Sequence, residues 1–362
     1  MMQVSKKIRC GIVGCTGMVG QRFALLLNDH PYFEITVLAA SGRSAGKTYT
    51  EALGGRWKMQ EAIPEKLKDM PVLDGEKIDD IKGLVDFIFC AIDATKEQVL
   101  ALEEAYARAE IPVISNDKAN RWTPDVPMLI PEINHEHIKA IEHQKARLGT
   151  KKGFIAVKPN CSIQSYVPLI TPLLCFEPTN ITVCTYQAIS GASKTFSEFP
   201  EILDNVIPYI GGEEEKSEKE PMRIWGSVVD GEIVCASEPA ITAQCLRVPV
   251  LDGHMAAVFI KFAKKPTREQ ILAKWEEFNV SLEGRKLPSS PDKFITYFEE
   301  DNRPQTKLDR DLYNGMGISA GRLREDNVYD FKFIGLSHNT LRGAAGGGVL
   351  AAELLAEEGY IY

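Results

Sequence analysis

The stretch GIVGCTGMVG, residues 11–20, carries a glycine at every third position. The residues before and after it predict a strand over Lys7–Val13 and a helix over Met18–Asn28. Glycine lets the backbone approach a pyrophosphate, and a helix N-terminus adds N–H donors and a favourable dipole. The spacing departs from the commoner G-x-G-x-x-G pattern, and a tight packing turn is the alternative. In its strand–turn–helix setting, the stretch predicts a dinucleotide-binding loop.

The residues of this loop that are expected to contact a cofactor are Gly14, Thr16, Gly17, Met18 and Val19. Outward from the loop, strands and helices alternate through the first 150 residues. The further elements predicted there are Ile35–Ala40, Val85–Ile92 and Pro112–Ser115 as strands and Lys96–Ala109 as a helix. Such alternation is typical of an α/β fold with a parallel, doubly wound sheet of the Rossmann type.

The pattern changes after residue 150. A strand over 152–158 ends at a Pro-Asn-Cys turn, and a helix is predicted over Ser162–Leu174. Strands with alternating polarity then predict a mostly antiparallel sheet in a second, α+β domain. These strands are Ile181–Ile189, Glu232–Cys235, Cys245–Val250, His254–Phe262 and Val328–Leu336. The domains are expected at 1–158 and 159–338, with the C-terminal helix, within 339–362, returning to the first.

Composition narrows the possible partners and compartment. The chain has 362 residues, a net charge of −8 and no strongly basic segment, which argues against nucleic acid as a partner. Its longest apolar stretches are strand-length, too short to span a membrane. The eight cysteines contain no Cys-x-x-Cys pair, and His135, His137 and His143 lack zinc-site spacing and are read as surface residues. A cytoplasmic protein without a bound metal is expected.

The end of the second predicted strand bears on the choice of cofactor. NAD-specific folds usually carry an acidic residue there for the ribose 2′-hydroxyl, whereas this chain has AASGRSAGK at residues 39–47. Ser41, Arg43 and Ser44 are suited to hold a 2′-phosphate through charge-assisted hydrogen bonds. The sequence therefore favours NADP over NAD, with an ordinary polar loop as the alternative.

Cys161 is the candidate nucleophile. It lies between a predicted strand and a predicted helix, where N–H groups and the helix dipole favour a thiolate and backbone donors can stabilise an oxyanion. The other seven cysteines are expected to be structural. His254, at the start of an apolar strand, is the best-placed histidine for acid/base work, ahead of His338, although from the residues alone a structural role is the simpler interpretation. The acidic run 211–220 is typical of a solvated loop or a helix start.

Taken together, these motifs resemble the aspartate-β-semialdehyde dehydrogenases, specifically their archaeal and fungal-like branch. The resemblance covers nearly the whole chain and depends on the order of its segments. They are GIVGCTGMVGQ, AASGRSAGK, SNDKANRW with PDVPMLIPEIN, KPNCSIQ, YQAISGAS, GGEEEK, LRVPVLDGH and HNTLRGAAGGG. The chain departs at Ser193 and Lys194, where the family often continues with a glycine after Ala192.

The resemblance implies roles for single residues in catalysis. Cys161 matches the family's nucleophile, His254 its acid/base, and Gln187 the glutamine that orients the acyl group. Asn339 matches a position near the nicotinamide.

The resemblance also implies a set of residues that hold the substrate. Arg247 matches the arginine that binds the substrate carboxylate as a planar fork. Arg121 matches a phosphate contact, and Glu213 and Lys216 match residues that bind the substrate amino group and the phosphate. The acidic run is then expected to be part of a substrate site.

The implied reaction is the reversible, NADPH-dependent reductive dephosphorylation of L-aspartyl-4-phosphate to L-aspartate-4-semialdehyde through a Cys161 thioester. It belongs to the biosynthesis of the aspartate-family amino acids lysine, methionine and threonine. A dimer or a tetramer is expected. Three alternatives remain open: a malonyl-CoA reductase on the same scaffold, the more distant N-acetyl-γ-glutamyl-phosphate reductases, and a non-catalytic NADP-binding sensor with Cys161 as a redox switch.

Overall fold

The computed structural model describes residues 6–362 and contains two six-stranded sheets. In chain order the strands are β1 (Ile8–Val13), β2 (Phe33–Ala40), β3 (Val72–Asp74), β4 (Phe87–Cys90), β5 (Val113–Ser115), β6 (Ile155–Val157), β7 (Pro178–Gln187), β8 (Ser227–Val229), β9 (Glu232–Val234), β10 (Ala240–Arg247), β11 (His254–Phe262), β12 (Ile295–Phe298), β13 (Ile318–Glu325) and β14 (Phe331–Ser337).

The helices between these strands range from one turn to fourteen residues. They are α1 (Met18–Leu26), α2 (Tyr49–Leu53), α3 (Glu65–Lys68), α4 (Ile78–Ile81), α5 (Lys96–Arg108), α6 (Pro131–Asn134), α7 (Ala140–Leu148), α8 (Val167–Ile170), α9 (Glu213–Ile224), α10 (Arg268–Ser281), α11 (Thr306–Asp309), α12 (Leu312–Gly315) and α13 (Gly346–Glu357). Over residues 6–362, no helix is long and apolar enough to cross a membrane.

The first sheet has the order β3-β2-β1-β4-β5-β6 and is parallel throughout. Its central strands are apolar and buried on both faces, as the sequence of β4, FIFC, illustrates. The predicted doubly wound α/β domain is confirmed. Strand order reverses between β1 and β4, so the glycine loop that follows β1 lies at the switch point where such sheets bind ligands.

The second sheet has the order β10-β7-β11-β14-β13-β12. Its three central pairings are antiparallel and its two outer pairings are parallel. Buried and more exposed residues alternate along β11, because one face covers the core and the other is open. The predicted mostly antiparallel sheet is confirmed, while the boundaries 1–158 and 159–338 stay predictions.

The helix predicted over Ser162–Leu174 is wrong. A 3-10 turn over Ser162–Ser165, the four-residue α8 and a second 3-10 turn over Thr171–Phe176 replace it. Pro168 and Pro172 each stand in the first turn of a new segment. Because proline lacks an N–H and disfavours helical geometry in the residue before it, neither can continue a helix from the preceding turn.

The strand predicted over Cys245–Val250 is also misplaced, because β10 begins at Ala240 and ends at Arg247. Beyond it the chain turns, and Val250 donates its N–H to the carbonyl of Val248. Several elements had no counterpart in the sequence prediction, among them β3, β12, β13 and α10. For α10 a signal was present, because Thr267 and Gln270 form a capping box at its start.

The C-terminal segment joins the two sheets. A π-turn over Leu341–Ala345 leads into α13, which packs on α1, so that a Cβ added at Gly348 would lie 3.0 Å from the ring of Phe23. Further along α13, the buried Glu353 accepts a 2.8 Å hydrogen bond from His30. The C-terminal helix is therefore anchored to the first sheet's layer.

Candidate active site

A cleft of about 660 Å³ lies between the glycine loop and the end of β6. It brings together several residues that the sequence singled out at distant positions. Those lining it are Thr16, Gly17, Met18, Val19, Arg121, Cys161, Glu213, Lys216 and Asn339. Gly14, Gln187, Arg247 and His254 lie behind this lining, and Ser41, Arg43 and Ser44 lie outside it at the end of β2.

The glycine loop requires glycine at two positions. Gly14 has φ +92°, and a Cβ there would stand 2.2 Å from the carbonyl oxygen of Ala91. A Cβ on Gly20 would stand 2.2 Å from the carbonyl oxygen of Gly14. Gly17 is the N-cap residue of α1 and provides no side-chain cap. The N–H groups in the first turn of α1 are therefore available to bind an anion in the cleft. This arrangement fits the pyrophosphate of a dinucleotide.

The loop after β2 holds the three residues predicted to bind a 2′-phosphate. Ser41 and Arg43 are exposed, and Ser44 donates its N–H to the carbonyl of Ser41 at 2.8 Å. The structure adds Asp74, at the end of β3, whose carboxyl oxygen lies 3.2 Å from where a Cβ on Gly42 would stand. The sequence prediction missed this neighbouring acid because it missed β3.

Cys161, which lines the cleft, faces His254, which lies behind the lining. The Sγ of Cys161 lies 3.4 Å from Nε2 of His254. The other ring nitrogen, Nδ1, accepts the N–H of Ala188 at 3.0 Å. In the neutral ring the proton is therefore on Nε2, pointing at the sulfur. Burial, followed by the charge of Arg247, lowers the pKa of His254 to about 3, so the ring is neutral near pH 7.

Burial raises the pKa of the Cys161 thiol, and the charge of Glu213 raises it further. The expected lowering by a helix dipole is wrong, because only a four-residue 3-10 turn follows the cysteine. Three cations, Lys158, Arg121 and Arg247, act in the opposite direction and reduce this rise in the pKa without reversing it. Thiolate formation therefore depends on tertiary neighbours rather than on the local turn.

The acidic run 211–220 forms the start of α9 and is part of the site. Glu213 is buried and accepts hydrogen bonds from Lys216 at 2.6 Å and from Gln187 and Asn160 at 3.1 Å. Its pKa is lowered in spite of burial, first by the charge of Lys216. The solvated-loop alternative is wrong, and the helix-start alternative is confirmed. Within the described structure, the two residues predicted to hold the substrate are paired with each other.

Glu220, which lies seven residues after Glu213 on α9, was missed by the sequence analysis. It is 1% exposed, pairs with Arg121 at 2.8 Å and accepts the backbone N–H of Asn160 at 2.6 Å. Arg121 also donates to the carbonyl of Lys158 at 3.0 Å. Glu220 and Arg121 therefore brace both sides of the turn that carries Cys161. Glu220 and Arg121 are far apart along the chain, so no local sequence pattern indicated that they form a pair.

Arg247 and Asn339, both predicted to be site residues, connect the loops around His254. Arg247 donates to the carbonyl of Ala188 at 2.6 Å. Asn339 accepts the N–H of Gly253 at 2.7 Å and donates to Ser190 at 2.8 Å. These contacts tie the end of β10 and the C-terminal segment to the loop that follows β7.

That loop contains the departure from the family pattern. Ser193 adopts φ +56°, and its carbonyl accepts a 2.8 Å hydrogen bond from Lys58, which also pairs with Glu198. Because Lys58 follows α2 in the first domain, this contact crosses the mouth of the cleft.

The three histidines near residue 140 form no metal site, and residues 6–362 contain no group of His, Cys, Asp and Glu that could hold a metal ion. The surface interpretation is wrong for His137, which is 3% exposed. Its Nε2 donates to the carbonyl of Gly226 at 3.0 Å. Burial lowers the pKa of His137, so it has the character of a core residue.

Comparison with known proteins gives a family for this arrangement. Residues 9–141 match the NAD binding domain of semialdehyde dehydrogenases, and residues 168–342 match their dimerisation domain. An aspartate-semialdehyde dehydrogenase of Archaeoglobus fulgidus is 41% identical over 96% of this chain and 98% of its own. The chain belongs to the aspartate-semialdehyde dehydrogenase family. The Aspergillus fumigatus member is 40% identical over 98% of this chain and 99% of its own.

A solved structure of the same family has the same fold. The crystal structure of the Candida albicans aspartate-semialdehyde dehydrogenase with NADP superimposes with a TM-score of 0.87 at 39% identity. The match covers 98% of this chain and 100% of the other. Both domains of the chain therefore correspond to those of a family member.

Proposed function

We propose that this chain catalyses the NADPH-dependent reductive dephosphorylation of L-aspartyl-4-phosphate to L-aspartate-4-semialdehyde, and the reverse reaction, in aspartate-family amino-acid biosynthesis. The 3.4 Å contact between Cys161 and His254 beside a dinucleotide-type loop carries the proposal. It joins a nucleophile, a proton donor and a cofactor cleft. The names of the relatives support the substrate.

Cys161 acts as the nucleophile. Its thiolate forms a carbon–sulfur bond with the acyl carbon, and the carbon–oxygen bond to phosphate breaks, so phosphate leaves with the electron pair. Arg121 and Lys216 line the cleft and offset the charge of that leaving group. Gln187 lies behind the cleft lining and donates a 3.1 Å hydrogen bond to Glu213, which lines the cleft. Its role is to orient the acyl group.

The N–H groups at the uncapped N-terminus of α1 would hold the pyrophosphate of NADPH, and Ser41, Arg43 and Ser44 would hold its 2′-phosphate. When bound, the cofactor would supply the hydride that reduces the thioester. His254 then donates the Nε2 proton to the oxyanion and takes it back as the carbon–sulfur bond breaks, which releases the aldehyde and returns the Cys161 thiolate. The hydrogen bond that His254 accepts from Ala188 keeps Nε2 in the donor form. Arg247 binds the substrate carboxylate, for which its planar guanidinium is suited.

The assay that tests the proposal is phosphate-dependent reduction of NADP with L-aspartate-4-semialdehyde. Turnover that requires both phosphate and NADP supports it. The rival substrate is malonyl-CoA, which the named relatives do not favour, and it is assayed side by side. Turnover of malonyl-CoA alone, or NADP binding without turnover of either substrate, would contradict the proposal.

We also infer that the protein self-associates as a dimer or tetramer in the cytoplasm. The second domain matches a dimerisation domain, and the open face of its sheet carries partly exposed Met255 and Phe259 and exposed Tyr186. All eight cysteines are free thiols, as suits a reducing compartment. Light scattering at several protein concentrations tests the assembly, and a monomer at micromolar concentration would contradict it.

A further inference from the structure

Lys158 is a buried cation to which no step of the proposed reaction has been assigned. It lies three residues before Cys161, at the end of β6, and is 3% exposed. Its Nζ donates to the carbonyl oxygens of Pro159 and Gly343. Its own carbonyl and N–H are fixed by Arg121 and Ser115. The side chain is therefore held at both ends.

No carboxylate within residues 6–362 forms an ion pair with Lys158. The two that influence its charge, Glu220 and Glu213, are paired with Arg121 and Lys216. A buried ammonium group without a counter-ion is costly. Carbonyl oxygens satisfy its hydrogen bonds but supply only partial charge. An anion that appears during the reaction is the missing partner.

Cys161 packs against Gly343, the residue whose carbonyl oxygen accepts a hydrogen bond from this ammonium group. Gly343, whose carbonyl Lys158 holds, packs so closely on Cys161 that a Cβ on Gly343 would stand 2.8 Å from the Cβ of Cys161. Lys158, Cys161 and Gly343 line the same cleft. Lys158 therefore contacts the chain on both sides of the sulfur, through Pro159 before it and Gly343 across from it.

We propose that Lys158 is a positioning residue for Cys161, which rests on the proposed role of Cys161 as nucleophile. Its ammonium group, fixed between the carbonyls of Pro159 and Gly343, supplies the positive charge that stabilises the Cys161 thiolate.

The charges that face Cys161 come from four directions. Glu213 on α9 raises the pKa of the thiol, whereas Lys158, Arg121 and Arg247 lower it, and Lys158 has the largest effect of the three. Neutral His254 faces the sulfur from β11. The charge of Arg121 is partly neutralised by its ion pair with Glu220. Lys158 has no such carboxylate partner in the described residues, so the thiolate does not share the lysine charge with an ion-paired carboxylate.

The two groups favour each other's charged form. Burial, followed by the charge of Arg121, lowers the pKa of Lys158 to about 7, although the Cys161 thiolate acts to raise it. An ammonium beside a thiolate is therefore retained at a pH where an isolated buried lysine would be neutral. Removal of the lysine charge raises the pKa of the thiol.

The test measures the pH dependence of alkylation at Cys161 by iodoacetamide, with the modified peptide quantified by mass spectrometry and no substrate present. Lys158→Met removes both charge and hydrogen bonds, and Lys158→Gln removes the charge while keeping an N–H donor. We expect the alkylation midpoint to rise by about one pH unit in both variants, which is about tenfold slower alkylation below the midpoint.

The exposed Cys175 and Cys235 serve as references within the same molecules, and their midpoints stay unchanged. Lys152→Met is the matched control, because Lys152 ends at the carbonyl of Tyr362, away from the cleft. An unchanged Cys161 midpoint in Lys158→Gln overturns the proposal. So does a shift in Lys158→Met that is absent in Lys158→Gln, because the lysine would then act only through hydrogen bonds.

If Lys158→Met fails to fold, Lys158→Gln alone decides. The result is independent of the proposed function, since alkylation needs neither substrate nor cofactor. A Cys161→Ala variant that keeps full turnover would remove the proposed function, whatever the alkylation data give. If Cys161 is essential for turnover but its alkylation midpoint is unchanged in Lys158→Gln, only the proposed role of Lys158 is contradicted.

Discussion

The Nε2 atom of His254 lies 3.4 Å from the Sγ atom of Cys161, while the Nδ1 atom of the same ring accepts the N–H of Ala188. The backbone hydrogen bond fixes which nitrogen carries the proton in the neutral ring. In the proposed reaction, His254 therefore donates a proton towards the substrate rather than accepting one from the thiol.

Replacement of Cys161 with alanine is expected to abolish turnover, because no thioester can form. NADPH binding is expected to persist, since the glycine loop that carries the proposed cofactor site is unchanged. Cofactor fluorescence titration and the phosphate-dependent assay measure the two effects. Cys175→Ala, at an exposed cysteine, is the matched control and keeps its activity. Normal turnover in Cys161→Ala would contradict the role.

Replacement of His254 with asparagine is expected to lower kcat by roughly 10²–10⁴-fold, the usual size of a general acid's contribution. The pH dependence of stability provides a second readout. The pKa of His254 is about 3 in the folded chain and about 6.5 when unfolded. As pH falls below about 6.5, the unfolded chain takes up a proton that the folded chain does not.

Folding stability therefore falls as the pH decreases from about 6.5 towards about 3. His254→Asn is expected to lose less stability than the wild-type chain between pH 7 and pH 5, as measured by urea unfolding midpoints. His143→Asn, at an exposed histidine, is expected to match the wild-type chain. If His254→Asn and the wild-type chain lose equal folding stability between pH 7 and pH 5, the ring of His254 is not held neutral in the folded chain.

Replacement of Gly191 with alanine is expected to lower kcat/KM roughly tenfold without unfolding the chain. The added Cβ would stand 3.1 Å from Nη1 of Arg247 and 3.2 Å from Nε2 of His254, so both side chains must move, and small displacements of catalytic groups are costly. Gly284→Ala is the control, because no atom lies within 4 Å of its added Cβ. Full activity in Gly191→Ala would contradict this placement.

Replacement of Arg43 with alanine is expected to raise KM for NADPH at least about tenfold and to leave KM for NADH nearly unchanged, because a charge-assisted hydrogen bond contributes about 1.5–3 kcal/mol. Asp74→Asn is the opposing variant: loss of a carboxylate beside Gly42 is expected to lower KM for NADPH. Equal effects on both cofactors in Arg43→Ala would exclude a 2′-phosphate contact.

Replacement of Glu220 with alanine is expected to destabilise the chain by about 3–5 kcal/mol, because it leaves the buried Arg121 charge unpaired. The N–H of Asn160 would also lose its partner. Chemical denaturation measures the loss. Glu215→Ala is the matched control on the same helix, since its pair with Lys219 is exposed and contributes little. Equal stability of the two variants would contradict the bracing role.

Local signals were sufficient for much of the molecule. Alternating strands and helices predicted the first sheet, because each pattern reflects burial within one segment. The glycine spacing predicted the cofactor loop, since Gly14 and Gly20 are fixed by contacts a few residues away or across one strand. The helix after Cys161 failed, because two prolines interrupt an otherwise apolar stretch.

The sequence by itself determined the fold class and singled out Cys161 as the candidate nucleophile, since strand period, turn glycines and the Pro-Asn-Cys turn are properties of neighbouring residues. Only the tertiary structure decided which charged groups surround Cys161 and the loop after β2. Glu220, Lys158 and Asp74 come from separate segments, and their effects depend on distance and burial rather than on position in the chain. Electrostatic interactions act through space, so no local pattern encodes them.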